Sequence, residues 1–524
     1  MLEVARRLGS YGDVEALVTD DERLTYQELD ERVTQVVRRL SGLGVRRGGR
    51  VGLLMPNTAS MICHLLAAWD IGAVVVPLNT RYRSHELQYV VGHSDIEVLV
   101  TGQFGGGFPD LGERLLAAFP ALRTQADPLA LSVPDAPALR SIVMLGAAPV
   151  EPAFVTAEQC DALAADLPAD RAADDELLLI YTSGTTAHPK GVVHSLGAFV
   201  QTARHTAASM GVQVGDVVWD PLPLFHTGGL LPLLGTLDLG ATFVTSAHFD
   251  PGTGLELLAR ERVTAAYVAF STLVTSLLDH PDFATTDVSA LRWILAIGPE
   301  GLLDRVQRSL PGAVQVSCYG CTEAGGVVVY NDVTDPAAAR ATTAGNPFPG
   351  VQIRIVDPVQ GRQVNAGGTG EIQVRSDAVL RRYHREPASP VDGEGWFATG
   401  DLGRFDDDGR LVFLGRLKDM FKIGGENVAA SEIEFVLAAH QAVTFAQVVS
   451  VPDERLSEVA AAFVELKPGA AVTADELREF CAQRLASFKV PRHVRMVEEW
   501  PMSATKVQKF KLRDQLLDEL AVGA

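Results

Sequence analysis

Short apolar, β-branched runs alternate with longer amphipathic stretches over the first two-thirds of the chain. RVGLLMP is followed by SMICHLLAAWD, then AVVVPL, HELQYVVGHSD and EVLVT. That alternation predicts βαβ units around largely parallel sheets. The rhythm returns with LLLIYT, an amphipathic stretch over residues 196–210, VVWDPL and ATFVTS. Two similar α/β layers are therefore expected, without a sequence repeat of fixed period. The most apolar stretch, residues 61–78, is interrupted by Asp70 and Gly72. It reads as a helix followed by a buried strand, and not as a membrane span.

After about Gly345 the pattern changes to period two, in NPFPGVQIRIVD, GGTGEIQVRS and GRLVFLGRLKDMFK. Such segments, separated by Gly, Asn and Asp, predict antiparallel hairpins and a β subdomain. From about Lys418, EIEFVLAAH, FAQVVSVPD, AAAFVELKP and ADELREFCAQRL form a compact α+β pattern. The expected organisation is an α/β N-terminal domain over residues 1–416, then a small α+β domain over residues 417–524, of ordinary domain size.

The chain has 524 residues and a formal net charge of −20. That surface repels nucleic acid and anionic membranes but leaves room for a small anionic ligand, whose site is set by local fields. Five cysteines form no disulfide framework in a chain of this length, which fits a reducing cytoplasm. Cys318 and Cys321 have C-x-x-C spacing without a second pair or nearby histidine, so two small buried thiols are expected and not zinc. HELQY lacks the second histidine of a zinc-protease helix. The N-terminus has no apolar core of a signal peptide. A homodimer is the prior expectation for oligomeric state.

The densest concentration of polar chemistry is YTSGTTAHPKGVVH, residues 181–194, directly after the apolar run LLLI. Hydroxyls, glycines and Lys190 crowd one turn, a composition that suits an anion. Strand, glycine-rich loop and helix in succession would offer loop N–H groups and a helix dipole to phosphate. The P-loop template fails, because Gly191 follows the lysine instead of preceding it.

The order Tyr-Thr-Ser-Gly-Thr-Thr-x-x-Pro-Lys-Gly resembles the signature of the adenylate-forming enzymes. These comprise acyl- and aryl-CoA ligases, adenylation domains of nonribosomal synthetases and luciferase-like enzymes. Further matches follow in the same order from LTYQELDERV to KVQKFKLRD. The resemblance implies a large N-terminal domain of two α/β layers plus a β subdomain, and a mobile C-terminal domain. It also implies ATP with Mg²⁺, a carboxylic acid and coenzyme A as reactants.

By that resemblance, Thr182, Ser183, Gly184, Thr185, Thr186 and Lys190 wrap the β- and γ-phosphates. In YGCTEAGG, Tyr319 stacks on adenine, Gly320 belongs to the same nucleotide-binding turn, Thr322 bonds the α-phosphate and Glu323 holds Mg²⁺, a role suited to a carboxylate. In WFATGDLG, Asp401 accepts from the ribose hydroxyls, and Arg416 completes the clamp. Lys418 occupies the hinge position, with Gly424 and Gly425 of the following segment beside a tunnel for the CoA thiol. Lys506 is the catalytic lysine, although the family's Thr-Gly-Lys is here Thr505-Lys506, one residue short, and Lys509 stays open as the alternative. His226, in PLPLFHTGGL, flanks the substrate carboxylate or gates the thiol channel; a buried histidine bonded to backbone is the competing reading.

The segment Ala296-Ile297-Gly298-Pro299-Glu300 departs from the family's Gly-Gly-Ala-Pro-like loop, so the acid is not fixed by analogy. The expected activity is an AMP-forming acid–CoA ligase. One alternative is an adenylating enzyme with another acceptor: a carrier-protein thiol, an amine or nitrite. A catalytically silent nucleotide-binding homologue is the other. Abundant Ala, Arg, Gly and Val point to a GC-rich bacterial source.

Overall fold

The computed structural model describes residues 9–20, 22–105, 108–146, 151–166, 172, 174–182, 189–423, 426–453, 455–503 and 506–522. The first layer is built on an eight-stranded sheet among these residues. At its centre Arg50–Leu53 lies parallel between Val74–Pro77 and Val98–Gly102. The two flanking strands are buried throughout, as strands covered on both faces must be.

Residues 61–78 are a helix and a strand, as their pattern predicts. The helix, Ala59–Ile71, starts where the Thr58 side chain accepts from the Met61 amide and stops at Gly72, whose φ is 81°. Both are standard capping solutions. It is apolar on nearly every side because it sits between the layers. Its Leu65 and Leu66 share one core with Leu230, Leu233 and Leu237 of the helix Thr227–Asp238.

The second layer carries a seven-stranded sheet among the described residues, including the parallel strands Val217–Trp219, Ala265–Phe270, Trp293–Ile297 and Val314–Val316. One connection was not legible in the pattern. Glu15–Val18, near the start of the chain, joins this second sheet beside Thr242–Val244. A short buried run states its own extended form but not which of two similar sheets it completes.

The glycine-rich segment departs from the strand–loop–helix expectation. Glu176–Thr182 pairs antiparallel with Lys190–Ser195, with Thr182 opposite Lys190, and the helix Leu196–Ser209 begins only after that second strand. The β-branched pair Val192-Val193 extends the sheet. The segment is thus the connection of a hairpin, and no helix N-terminus directly follows it.

Gln352–Val356, Gly370–Arg375, Phe397–Phe405 and Leu411–Arg416 form the expected antiparallel sheet. The small C-terminal domain pairs Val443–Asp453 with Ser457–Leu466 and adds His493–Met496 in parallel. Its own core includes Ile433, Leu437, Val448, Leu477 and Cys481. Among the described residues no helix is long and apolar enough to cross a membrane.

Candidate active site

Asp401 and Arg416, fifteen residues apart in sequence, are opposite each other on the paired strands Phe397–Phe405 and Leu411–Arg416. Arg416 Nε lies 2.9 Å from Asp401 Oδ1, and the Tyr319 hydroxyl donates to Asp401 Oδ2 at 2.8 Å. The carboxylate is only 2% exposed. Burial first, and then the carboxylate, push the Tyr319 phenol well above its ordinary range, so it remains a donor. Burial is the largest single influence and works against the Arg416 charge, but Asp401 together with Cys321, Glu323 and Tyr319 outweighs it and raises the guanidinium pKa.

Phe413, three residues before Arg416, stacks on the Tyr319 ring at 5.7 Å and 28°. Neither its type nor its position in GRLVFLGR distinguishes it from an ordinary strand residue, and the sequence reading missed it. Gly320 is required by contact: a Cβ there would lie 1.9 Å from the Gly326 carbonyl oxygen. The turn it permits folds Gly326 against Thr227 and Leu231, at the start of the helix Thr227–Asp238.

The residues expected around phosphate lie on the hairpin of Glu176–Thr182 and Lys190–Ser195 and on the turn Thr322–Ala324. Thr182 and Lys190 are cross-strand partners. Lys190 Nζ lies 4.9 Å from the centroid of the Tyr383 ring, and the Tyr383 hydroxyl donates to Glu323 Oε1 at 3.3 Å. His194 Nε2–H donates to the Thr322 carbonyl at 2.7 Å, and the Leu380 amide donates to the Glu323 carbonyl at 2.7 Å. Burial lowers the His194 pKa to about 4, so the ring is neutral at pH 7. Tyr383 and His194 also went unread in the sequence. Ser183, Gly184, Thr185 and Thr186 lie outside the described residues.

Glu323 supplies one carboxylate, held through Oε1 by the Tyr383 hydroxyl. Among the described residues no group of three or more His, Cys, Asp or Glu side chains could hold a metal. A single carboxylate fits a cation that keeps waters and phosphate oxygens as its other ligands, which is how Mg²⁺ binds. Cys318 is buried, with its thiol pushed up to about 12 by burial, and Cys321 is a free thiol.

A cleft of about 1330 Å³ separates this wall from the C-terminal domain. Tyr319, Asp401, Phe413 and Arg416 face it from one side, and Phe445, Val449, Lys509 and Arg513 from the other. The hairpin Met502–Ser503 and Lys506–Val507 borders the same cleft through Met502 and Val507. Lys506 pairs with Ser503 along the backbone; its side chain, that of Lys418, and Gly424 and Gly425 lie outside the described residues. Lys418 belongs to the short turn Leu417–Asp419 that follows Arg416. Lys509 Nζ contacts Glu434 Oε1 at 2.6 Å and lies 3.9 Å from Asp419 Oδ2. The two domains also touch where the Ser431 hydroxyl donates to the Leu414 carbonyl, beside Gly415.

His226 precedes the helix Thr227–Asp238 as its N-cap residue without capping it, and its half-buried ring lies 4.8 Å from Phe225. Ile297 ends the strand Trp293–Ile297 and faces the cleft together with Gly298.

The profile of the AMP-binding enzymes matches residues 4–384, and that of the AMP-binding enzyme C-terminal domain matches residues 432–506. The chain belongs to the AMP-binding enzymes. It is 32% identical to the putative acyl-CoA synthetase YngI of Bacillus subtilis, over 97% of this chain and 95% of that protein. Among solved structures, the anthranilate CoA ligase AuaEII in complex with anthranoyl-AMP superposes with a TM-score of 0.88. It has 28% identity and covers 100% of this chain and 98% of the ligase. The amide bond synthetase McbA of Marinactinospora thermotolerans reaches 0.81 at 27% identity, over 98% and 99% of the two chains. This AMP-binding enzyme thus shares the adenylate-forming fold, with a large N-terminal and a small C-terminal domain.

Proposed function

We propose that this AMP-binding enzyme is an AMP-forming acid–CoA ligase. A carboxylate oxygen attacks the α-phosphorus of ATP, and the bond to the bridging oxygen breaks to release pyrophosphate. The CoA sulfur then attacks the acyl carbonyl, AMP leaves and the thiol proton goes to solvent. Asp401 holds the ribose hydroxyls, with Arg416 and Tyr319 fixing its rotamer. Tyr319 and Gly320 bound the adenine. Thr182, Lys190 and the intervening loop bind the departing phosphates, and Thr322 bonds the α-phosphate. When bound, Mg²⁺ neutralises charge shared by the phosphates, and Glu323 holds it. Lys506 brings positive charge to the α-phosphate, where preorganised charge stabilises the transition state most.

The reading is carried by one observation: the Asp401–Tyr319–Arg416 assembly and the Lys506 hairpin border the same cleft. Domains divided at residues 416 and 417, pivoting at Lys418, let Lys506 withdraw after adenylation so that the segment with Gly424 and Gly425 can attend the thiol. His226 flanks the reacting carboxylate. The test is pyrophosphate release across a panel of acids, with and without CoA. A ligase gives AMP and a CoA thioester with at least one acid; no adduct with any acid sinks the assignment.

A second reading keeps the adenylation step and changes the acceptor to an amine. The likeness to an amide bond synthetase favours it, as does Ile297 at the cleft. Acyl-adenylate formed without any thioester, and trapped by an amine, would select it. The same panel supplies this answer.

A further inference from the structure

Tyr383 lies between two groups of opposite charge that the proposed chemistry needs. Its hydroxyl donates to Glu323 and its ring faces the Lys190 ammonium. The residue sits on the two-residue strand Arg382–Tyr383, added antiparallel to Lys190–Ser195, with Tyr383 opposite Val192.

Its neighbours pin that strand on every side. Arg382 Nη2 reaches both Glu176 oxygens at 2.9 and 3.0 Å. The His384 amide donates to the Gly191 carbonyl at 2.7 Å, and His384 Nε2–H donates to the His93 carbonyl at 3.0 Å. Arg385 pairs with Asp95 at 2.5 Å while holding a φ of 60°. A non-glycine residue stays in that left-handed region only where its surroundings fix it. So much anchoring around a two-residue strand fixes the direction of the one side chain that points at the site.

We propose that Tyr383 is a positioning residue for the metal–triphosphate. Its hydroxyl holds one oxygen of Glu323, leaving the other free for the cation. Its ring seats Lys190 while the site is empty. A cation over an aromatic face is held less tightly than one paired with phosphate, so Lys190 transfers to the arriving phosphates. The proposal rests on the adenylating function above and adds a residue to it.

Titration calorimetry of the full-length protein tests it, with Mg·ATP and AMP as separate titrants. Tyr383→Phe keeps the ring and removes the hydroxyl; it is expected to weaken Mg·ATP binding about tenfold. AMP, which lacks the β- and γ-phosphates, should bind this variant and the parent equally. Tyr383→Leu removes the ring as well and should weaken Mg·ATP further, again sparing AMP. Unchanged Mg·ATP affinity in Tyr383→Phe overturns the role. Equal losses for both nucleotides also overturn it, because they mean a general structural defect. A parent protein that binds neither nucleotide overturns the adenylating function along with it.

Discussion

The two walls of the cleft are built on opposite terms. On the N-terminal wall, Asp401 is 2% exposed and is met by both Tyr319 and Arg416. Its strand lies within a four-stranded sheet, and Gly320 admits a backbone approach that no other residue allows. The facing wall presents a two-stranded hairpin, Met502–Ser503 with Lys506–Val507. Nearby Met502 is 41% exposed and Phe510 59% exposed. The groups proposed to recognise the nucleotide stand where packing fixes their dihedrals. In the proposed mechanism the cation delivered to the α-phosphate, Lys506, stands on this short hairpin, an element of the kind that costs little to move. The proposed mechanism thereby separates recognition and delivery between two bodies.

The largest effect should come from the delivering wall. Lys506→Ala is expected to slow acid-dependent pyrophosphate–ATP exchange by about a thousandfold, with AMP affinity unchanged. Loss of AMP affinity in that variant would erase the distinction between the walls. On the recognising wall, Asp401→Ala leaves Tyr319 and Arg416 without their shared partner. It should cost about 3 kcal/mol of stability in urea unfolding and abolish measurable AMP binding.

The histidine under Thr322 gives a pH signature confined to the same wall. Burial sets the folded His194 pKa at about 4, below the ordinary value of about 6.5. As pH falls the unfolded chain takes up the proton first, so this contribution is complete above about pH 6.5 and disappears towards pH 4. Its full size is about 3 kcal/mol, and His194→Gln should flatten that part of a urea-midpoint profile measured between pH 7 and pH 4. The smallest effect is expected from Lys509→Ala, which removes the pairing with Glu434. About 1 kcal/mol of stability should go, with adenylation slowed far less than in Lys506→Ala. Equal kinetic losses in the two lysine variants would undo the assignment of separate roles.

Much of this contrast was legible in the sequence. The βαβ alternation and the later period-two segments predicted the sheets because burial on two faces or one leaves a distinct pattern. Asp401 and Arg416 were legible through motif order. Tyr383, Phe413 and His194 were not, since each reads as an ordinary aromatic or polar residue on a strand. Their meaning depends on partners from elsewhere: Glu323, Tyr319 and Thr322. The hairpin joining Thr182 to Lys190 and the transfer of Glu15–Val18 to the second sheet were hidden for the same reason. Local propensity chooses an extended backbone, and tertiary packing chooses its neighbour.

Hydrogen exchange of the full-length protein, alone, with AMP and with Mg·ATP, tests most directly whether both walls meet one nucleotide. AMP should protect residues 319–326 and 397–416, and Mg·ATP should add protection at residues 506–507 of the hairpin. Exchange at 506–507 that is identical with and without Mg·ATP would contradict the account.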